Sequence, residues 1–229
     1  MIDDIKGLVD ELVDEIDGDT AERLNGNDHF QDLCLYGSRE SRYLKGIAAK
    51  ARQFDIAVRW FDCPPPTHPD GPYIVDVESF GNSNLYRIPA VRSYDLDCTS
   101  GDYLSCTAEA CLELLNRLAD VTGKHVCIIG RGHAVQRLRD NLLYANATVT
   151  VCHSKTANMR EVAATAEIVV NSAPRLHAYC DVGFKLRRII LDISGALKEW
   201  EDCELLTYVG PREIGRLNTA LTLNRLAHI

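Results

Sequence analysis

A chain of 229 residues, 46% of them hydrophobic, carries enough apolar material for one large packed domain or two small ones. A formal net charge of -8 and an isoelectric point near 5.4 argue against a nucleic-acid-binding protein, since a phosphate backbone calls for a basic face. No apolar run approaches the ~20 residues that cross a bilayer, and the start MIDDIKGLVDELVDEID is acidic rather than a basic n-region. The expectation is a cytoplasmic protein with neither nucleic acid nor membrane as partner.

In chain order, Ile2, Ile5, Leu8, Val9, Leu12, Val13 and Ile16 recur at spacings of three and four, predicting a helix over 2–16 with one buried stripe. After the Gly-Asp-Thr and Asn-Gly-Asn breaks, Leu33 to Tyr36 reads as a strand ending at Gly37-Ser38. A helix over 41–54 and a strand over 56–61 follow, the strand stopped by Pro64, Pro65 and Pro66, which supply no ladder donor. A further strand is predicted at 73–77. From there to Tyr94 the pattern is poor, with turn residues at Gly81-Asn82-Ser83-Asn84.

Ser105 or Thr107 can cap a helix running to Leu118, whose Ala110, Cys111, Leu114, Leu115 and Leu118 share one face and which reads as a link between two lobes. Beyond Gly123 the elements alternate: strand 125–130, helix 134–145, strand 148–153, helix 158–165, strands 167–172, 187–193 and 204–209, and a last helix from about 214. The predicted fold class is therefore α/β. A Rossmann-like, mostly parallel sheet domain is expected over 105–213, a smaller α/β substrate lobe over 1–104, and a C-terminal helix at 214–229 packing back toward that lobe.

The nine cysteines are odd in number, scattered and without a C-x-x-C pair, which predicts reduced thiols; most of them pack as small hydrophobes. The seven histidines show no H-x-x-x-H or paired Cys/His spacing, so no metal is expected.

The strand HVCII runs into Gly130-Arg131-Gly132, then His133 and Val135, and then a helix. Backbone amides at such a turn can face a pyrophosphate, and glycine is needed where the chain turns tightly against the ligand. Two glycines alone can be a simple turn, but strand, turn, helix and second strand arrive in the dinucleotide-binding order. An NAD site ends its second strand in a carboxylate for the ribose 2′-OH, whereas TVTVC ends in His153-Ser154-Lys155-Thr156. These donors, with Arg131, suit a 2′-phosphate, and the predicted cofactor is NADP. The plain alternatives are a surface pair between Arg131 and Asp140, and a solvated Lys155.

GKHVCIIGRGHAV followed by NLLYANATVTVCHSKT resembles the cofactor loop and second strand of the methylenetetrahydrofolate dehydrogenase/cyclohydrolase family. The family turn is Gly-Arg-Ser with a following Val-Gly, so this chain departs at Gly132 and Gln136. The resemblance places Arg131 and Ser154 on the 2′-phosphate contacts, and Asn171 and Asn218 among the cofactor contacts, Asn218 near the nicotinamide. Asp95-Leu96-Asp97 resembles the family's Asp-Val-Asp, whose second aspartate binds the pterin, and Ser105-Cys106-Thr107 resembles its Pro-Cys-Thr, with Cys106 a packing residue. Ser41 and Tyr43 resemble a Ser-x-x-Tyr-x-x-x-Lys helix in which tyrosine lines the folate site and lysine assists catalysis.

In that frame the lysine position falls on Ile47, with Lys45 two residues and Lys50 seven residues beyond Tyr43, the latter about two turns or ~10 Å along the helix. A β-α step is cut down to CPPPTHPDGPYIVDVE, with Asp76 near a family glutamine. Pro211-Arg212-Glu213-Ile214-Gly215-Arg216 stands where the family has Pro-Gly-Gly-Val-Gly-Pro. The resemblance implies an NADP-dependent dehydrogenase of one-carbon metabolism acting on 5,10-methylenetetrahydrofolate or a related amine or iminium, as a homodimer formed through the cofactor lobe. Tyr43, Asp97, Lys45 and Lys50 are its candidate catalytic residues. Hydride transfer needs orientation above all, while hydrolysis of a methenyl cation needs a proton carrier, so cyclohydrolase activity is expected to be weak or absent. Two alternatives stand beside this reading: a relative repurposed for a non-folate substrate in specialised metabolism, and a non-catalytic NADP-binding protein.

Overall fold

A computed structural model describes residues 4–25, 32–66, 71–80, 95–97, 104–135, 137–176, 188–201, 203 and 205–229. The turn expected at Gly81-Asn82-Ser83-Asn84, and Cys98, Gln136 and Cys180, lie outside them. The chain divides into two units, residues 10–106 with 216–229 and residues 1–9 with 107–215. Each is built on its own all-parallel sheet.

The first unit holds most of α1 (Ile5–Asn25), then β1 (Leu33–Tyr36), α2 (Arg42–Gln53), β2 (Val58–Phe61), β3 (Tyr73–Val75), the short α3 (Val77–Phe80) and most of the final helix, α7 (Pro211–Leu226). α1 does not stop near residue 16 as its apolar stripe suggested; it runs on through Gly18. Local bonds hold the extra turns: Thr20 Oγ1 donates to the Ile16 carbonyl at 2.7 Å, and Arg23 pairs with Asp19 one turn away at 2.9 Å. Asn224 of α7 adds a bond to Asp19 at 2.7 Å.

The three-stranded sheet has the order β2-β1-β3. Alternation along the strands sends Leu33, Leu35 and Ile74 into one core, against Leu44, Ile47, Ala48 and Ala51 of α2 and Leu223 and Leu226 of α7. The opposite face gathers Tyr36, Tyr73 and Val75 with Phe61 and Phe80, and Tyr36 stacks on Phe61 at 4.9 Å. α2 starts where Ser41 Oγ accepts the Leu44 N–H at 3.3 Å, within the span the sequence predicts. β3 is two residues shorter than expected. Asp76 turns the chain, accepting a bond from the Ser79 hydroxyl at 2.7 Å, and α3 begins at once.

A buried polar knot closes this unit. Asp97, 3% exposed, accepts the Tyr43 hydroxyl at 2.9 Å through one oxygen and the Cys106 N–H at 3.0 Å through the other. It thereby caps the start of α4 (Cys106–Leu118), where a carboxylate meets the positive end of the helix. Arg225 of α7 donates to the Leu96 and Leu104 carbonyls, both at 2.9 Å, and so fixes the chain on either side of the cap.

The second unit holds the rest of α4, then β4 (His125–Ile129), a 3₁₀ turn at His133–Val135, α5 (Leu138–Tyr144), β5 (Thr148–Cys152), α6 (Met159–Thr165), β6 (Ile168–Asn171), β7 (Ile189–Asp192), a 3₁₀ turn at Lys198–Trp200 and β8 (Thr207–Val209). Its sheet order, β5-β4-β6-β7-β8, reverses direction at β4, the arrangement of a doubly wound nucleotide-binding sheet. Val126, Cys127, Ile128 and Ile129 of β4 and all of β6 are buried, as apolar runs covered on both faces must be. Arg188 donates to the Ala163 and Ala164 carbonyls and closes the negative end of α6.

Beyond Gly123 three elements differ from the sequence pattern, the strand expected over 204–209 being confined to Thr207–Val209. The helix expected over 134–145 is split into the 3₁₀ turn and α5, with Arg137 between them in the left-handed region at φ +62°. The last helix starts at Pro211 rather than 214, because proline suits the first helical position, where no N–H partner is needed.

Burial first, and then the charge of Asp97, hold the Tyr43 phenol well above its ordinary value. An acid whose pKa rises on folding contributes stability that is present below its unfolded value, about 10, and is lost as the pH climbs above it. The difference in urea stability between the natural protein and Tyr43→Phe should be constant from about pH 7 to 9 and shrink above about pH 10. A difference that persists unchanged into stronger alkali would contradict the buried Tyr43–Asp97 bond.

Candidate functional site

The strongest candidate lies at the carboxyl ends of the five-stranded sheet, where parallel α/β sheets bind ligands. β4 delivers the chain to Gly130, whose N–H donates to the Cys152 carbonyl at 2.8 Å and whose φ of +115° only glycine adopts without strain. A Cβ there would lie 2.1 Å from Ser172 Oγ. Ser172 is itself fixed, its N–H and hydroxyl both bonding the Ile129 carbonyl, at 2.8 and 3.2 Å. Arg131 and Gly132 then emerge exposed, His133 is half-buried, and Val135 turns back into the core while its N–H donates to the Gly132 carbonyl at 3.2 Å. A Cβ on Gly132 would meet nothing within 4 Å, so this part of the turn is open.

At the end of β5 the chain makes a second tight turn. His153 N–H donates to Thr156 Oγ1 at 2.9 Å, Thr156 N–H donates to the His153 carbonyl at 2.8 Å, and Lys155 N–H donates to His153 Nδ1 at 3.1 Å. His153 and Thr156 thus serve the turn, leaving Ser154 and Lys155 exposed. Asp140, the alternative partner for Arg131, is held by Arg139 at 2.7 Å and Arg137 at 3.4 Å. Those bonds, Arg139's first, keep its carboxyl below the usual range. The exposed set is therefore a guanidinium, an ammonium and a hydroxyl, with no carboxylate in the turn 153–156: a donor set that fits a dianion beside a ribose.

Asn171 is fully buried, and its side chain is spent inside the protein: Nδ2 donates to Asp192 and to Ser194, each at 2.9 Å, and Oδ1 accepts the Ala173 N–H at 3.0 Å. Asn218 belongs to the first unit, buried on α7, where Thr222 Oγ1 donates to its carbonyl at 2.8 Å. Sequence reasoning passed over Asp192, Ser194 and Tyr208. Asp192 is fully buried and takes the Tyr208 hydroxyl at 2.9 Å; burial, followed by this charge, pushes the Tyr208 phenol far up. The available signal was an aspartate closing an otherwise apolar strand, IILD.

Among the candidate catalytic residues, Tyr43 and Asp97 are brought together and the two lysines are committed elsewhere. Lys45 is exposed and pairs with Glu40 at 2.8 Å. Lys50 pairs with Asp17 of α1 and lies 5.8 Å from the Phe54 ring. Ile47, where the resemblance led one to expect a lysine, is completely buried in the core of the three-stranded unit. Asp76 serves its own turn through Ser79, which in addition accepts the Ser38 N–H at 3.0 Å. Cys106 is buried and donates to the Leu96 carbonyl at 3.3 Å, and burial pushes the Cys111 thiol up to about 12, far from a nucleophilic thiolate.

Comparison with known proteins adds lineage to this geometry. The tetrahydrofolate dehydrogenase/cyclohydrolase NAD(P)-binding domain matches residues 105–202. The bifunctional protein FolD of Thermosipho africanus is 33% identical over 138 residues, 54% of this chain and 50% of that one. The chain spans about half the length of the curated relatives it matches. In fold it is similar to the FolD methylenetetrahydrofolate dehydrogenase/cyclohydrolase of Campylobacter jejuni, with a TM-score of 0.72 and 19% identity over 98% of this chain and 96% of that one. It is similar too to the Trypanosoma brucei FolD crystallised with NADP and an inhibitor, with a TM-score of 0.64 and 18% identity over 97% and 93% of the two chains. Among the described residues no helix is long and apolar enough to cross a membrane. Residues 105–202 of this chain thus match the NAD(P)-binding domain of the tetrahydrofolate dehydrogenase/cyclohydrolase family.

Proposed function

We propose that this protein is an NADP-dependent oxidoreductase that moves a hydride between NADP and 5,10-methylenetetrahydrofolate, or a closely related amine or iminium, with little or no cyclohydrolase activity. The observation that carries the cofactor half is the pairing of an open glycine turn with exposed Arg131, Ser154 and Lys155 and no carboxylate after β5. When bound, NADP supplies the nicotinamide carbon that exchanges the hydride. Gly130 and Gly132 let the backbone come close to the diphosphate, while Arg131 and Ser154 hold the 2′-phosphate with charge-assisted hydrogen bonds and Lys155 adds a point charge. The Trypanosoma brucei relative, crystallised with NADP, supports the choice of cofactor.

On the substrate side, Tyr43 offers a half-buried aromatic ring whose hydroxyl Asp97 fixes. Orientation against such a ring is what hydride transfer asks of a protein. Opening a methenyl ring asks for more, because water must lose a proton and the ring nitrogen must gain one. Ile47 offers no proton, and Lys45 and Lys50 are bound to Glu40 and Asp17. These three positions are the reason to separate the two activities. A non-folate amine is the second reading, favoured by Asp97: it is 3% exposed and bonded to the Tyr43 hydroxyl and the Cys106 N–H, a carboxylate sunk within the protein rather than presented to a pterin edge. A homodimer formed through the five-stranded unit is supported by β5, which is the edge strand among the described residues, and by Leu143 and Tyr144 on α5, exposed at 50% and 88%.

Purified protein should reduce NADP in the presence of 5,10-methylenetetrahydrofolate while opening methenyltetrahydrofolate no faster than buffer does. Rapid enzymatic opening would overturn the separation, and turnover of a non-folate amine in place of the folate would select the second reading. Arg131→Ala should raise the dissociation constant for NADP about tenfold, the worth of a charged hydrogen bond, and that for NAD less than about twofold. Equal effects on the two dinucleotides would remove Arg131 from the 2′-phosphate.

A further inference from the structure

Asp192 lies at the carboxyl end of β7, is completely buried, and receives four hydrogen bonds. One oxygen accepts Asn171 Nδ2 at 2.9 Å and the Ser194 hydroxyl at 3.1 Å; the other accepts the Leu197 N–H at 2.8 Å and the Tyr208 hydroxyl at 2.9 Å. Four neutral donors thus converge on one buried charge. Such a group costs more to bury than an apolar side chain of the same size, so packing alone is a poor reason to have it. What it accomplishes is to tie three strand ends together: Asn171 closes β6, Ser194 and Leu197 follow β7, and Tyr208 belongs to β8.

The network reaches further through Ala173. Its N–H donates to Asn171 Oδ1 at 3.0 Å, and its carbonyl, 3.3 Å from Ser194 Oγ, shares that hydroxyl's one proton with Asp192, so the loop after β6 is held chiefly through the Ala173 N–H. The preceding residue is Ser172, whose hydroxyl occupies the space a Cβ on Gly130 would need. A continuous chain of contacts therefore runs from Asp192 through Asn171 and Ala173 to the wall of the glycine turn.

Topology says which part of a dinucleotide this serves. In a doubly wound sheet the end of the strand next to the glycine turn reads the adenosine ribose, and the dinucleotide crosses the sheet where the strand order reverses. With β5 on one side of β4 as the adenosine reader, the other half of a bound dinucleotide would lie over β6 and β7, on the opposite side.

We propose that Asp192 is a positioning residue that fixes the loops after β6 and β7 to receive the nicotinamide half of the dinucleotide. This rests on the reading that the five-stranded unit binds NADP. Asp192→Asn replaces one acceptor oxygen by an NH₂ group facing two donors, which must then move apart. Tyr208→Phe removes a single hydroxyl and spares the carboxylate, a gentler change should the first variant fold poorly.

Two probes separate positioning from general damage: NADP, and adenosine 2′,5′-bisphosphate, which lacks the nicotinamide half. For Asp192→Asn the dissociation constant for NADP should rise about tenfold and that for the bisphosphate should stay within about twofold; Tyr208→Phe should raise the NADP constant about threefold with the bisphosphate again unchanged. A residue that merely supports the fold would lower the melting temperature and leave the two affinities unchanged, or weaken both together, and either result overturns the proposal. Failure of the natural protein to bind either probe would instead overturn the cofactor reading itself, and this inference with it.

Discussion

The nucleotide-binding unit depends on one steric constraint. Ser172 Oγ stands 2.1 Å from where a side chain on residue 130 would begin, and the backbone there is held at φ +115°. Only glycine satisfies both conditions, so the end of β4 is locked against the end of β6, at the point where the sheet changes direction. From that lock the chain leaves as an open turn carrying Arg131, and the neighbouring strand contributes Ser154 and Lys155. Two features of different kinds meet at these adjacent strand ends: a backbone conformation at Gly130 that suits glycine, and exposed donors that suit a doubly charged phosphate.

The two units bear different signs of change. In the five-stranded unit the polar groups near the strand ends are densely satisfied, with Asn171, Asp192, Ser194 and Tyr208 bonded to one another. In the three-stranded unit, the groups expected to do proton chemistry have become structural. Ile47 fills the core, Lys50 braces α2 against α1, and Asp97 caps α4 while holding Tyr43. On the proposed reading, a cofactor turn without a proton carrier suits the reaction that needs orientation rather than the one that needs an acid and a base. The six residues from Pro211, which replace a glycine-rich bend of the family pattern, form the first turns of α7.

Much of this was legible in the residues. Apolar runs such as HVCII and IVVN announced buried parallel strands, and the helix expected over 41–54 is α2. The glycine turn and the absence of an acid after TVTVC pointed to the proposed nucleotide site. What stayed hidden depended on partners distant in sequence. α1 continues through Gly18 with help from Asn224, more than two hundred residues away. Asp97 and Tyr43 are separated by 54 positions, and no local pattern reveals that they meet. The fate of the lysines was hidden for the same reason, since Lys50 is decided by Asp17 on another helix. The break at Arg137, in left-handed backbone, has no local residue signature, because arginine is not a residue that favours that conformation. Asp192 was readable in principle, as a carboxylate ending an apolar strand, but its four donors come from three separate loops and strands.

The central claim, that the five-stranded unit holds a dinucleotide through its 2′-phosphate, is tested most directly by calorimetric titration of the purified protein with NADP and with NAD at several salt concentrations. The account predicts saturable binding of NADP, markedly weaker binding of NAD, and a preference that narrows as salt screens the exposed Arg131 and Lys155. No heat with NADP, or equal affinity for both dinucleotides at every salt concentration, would contradict it.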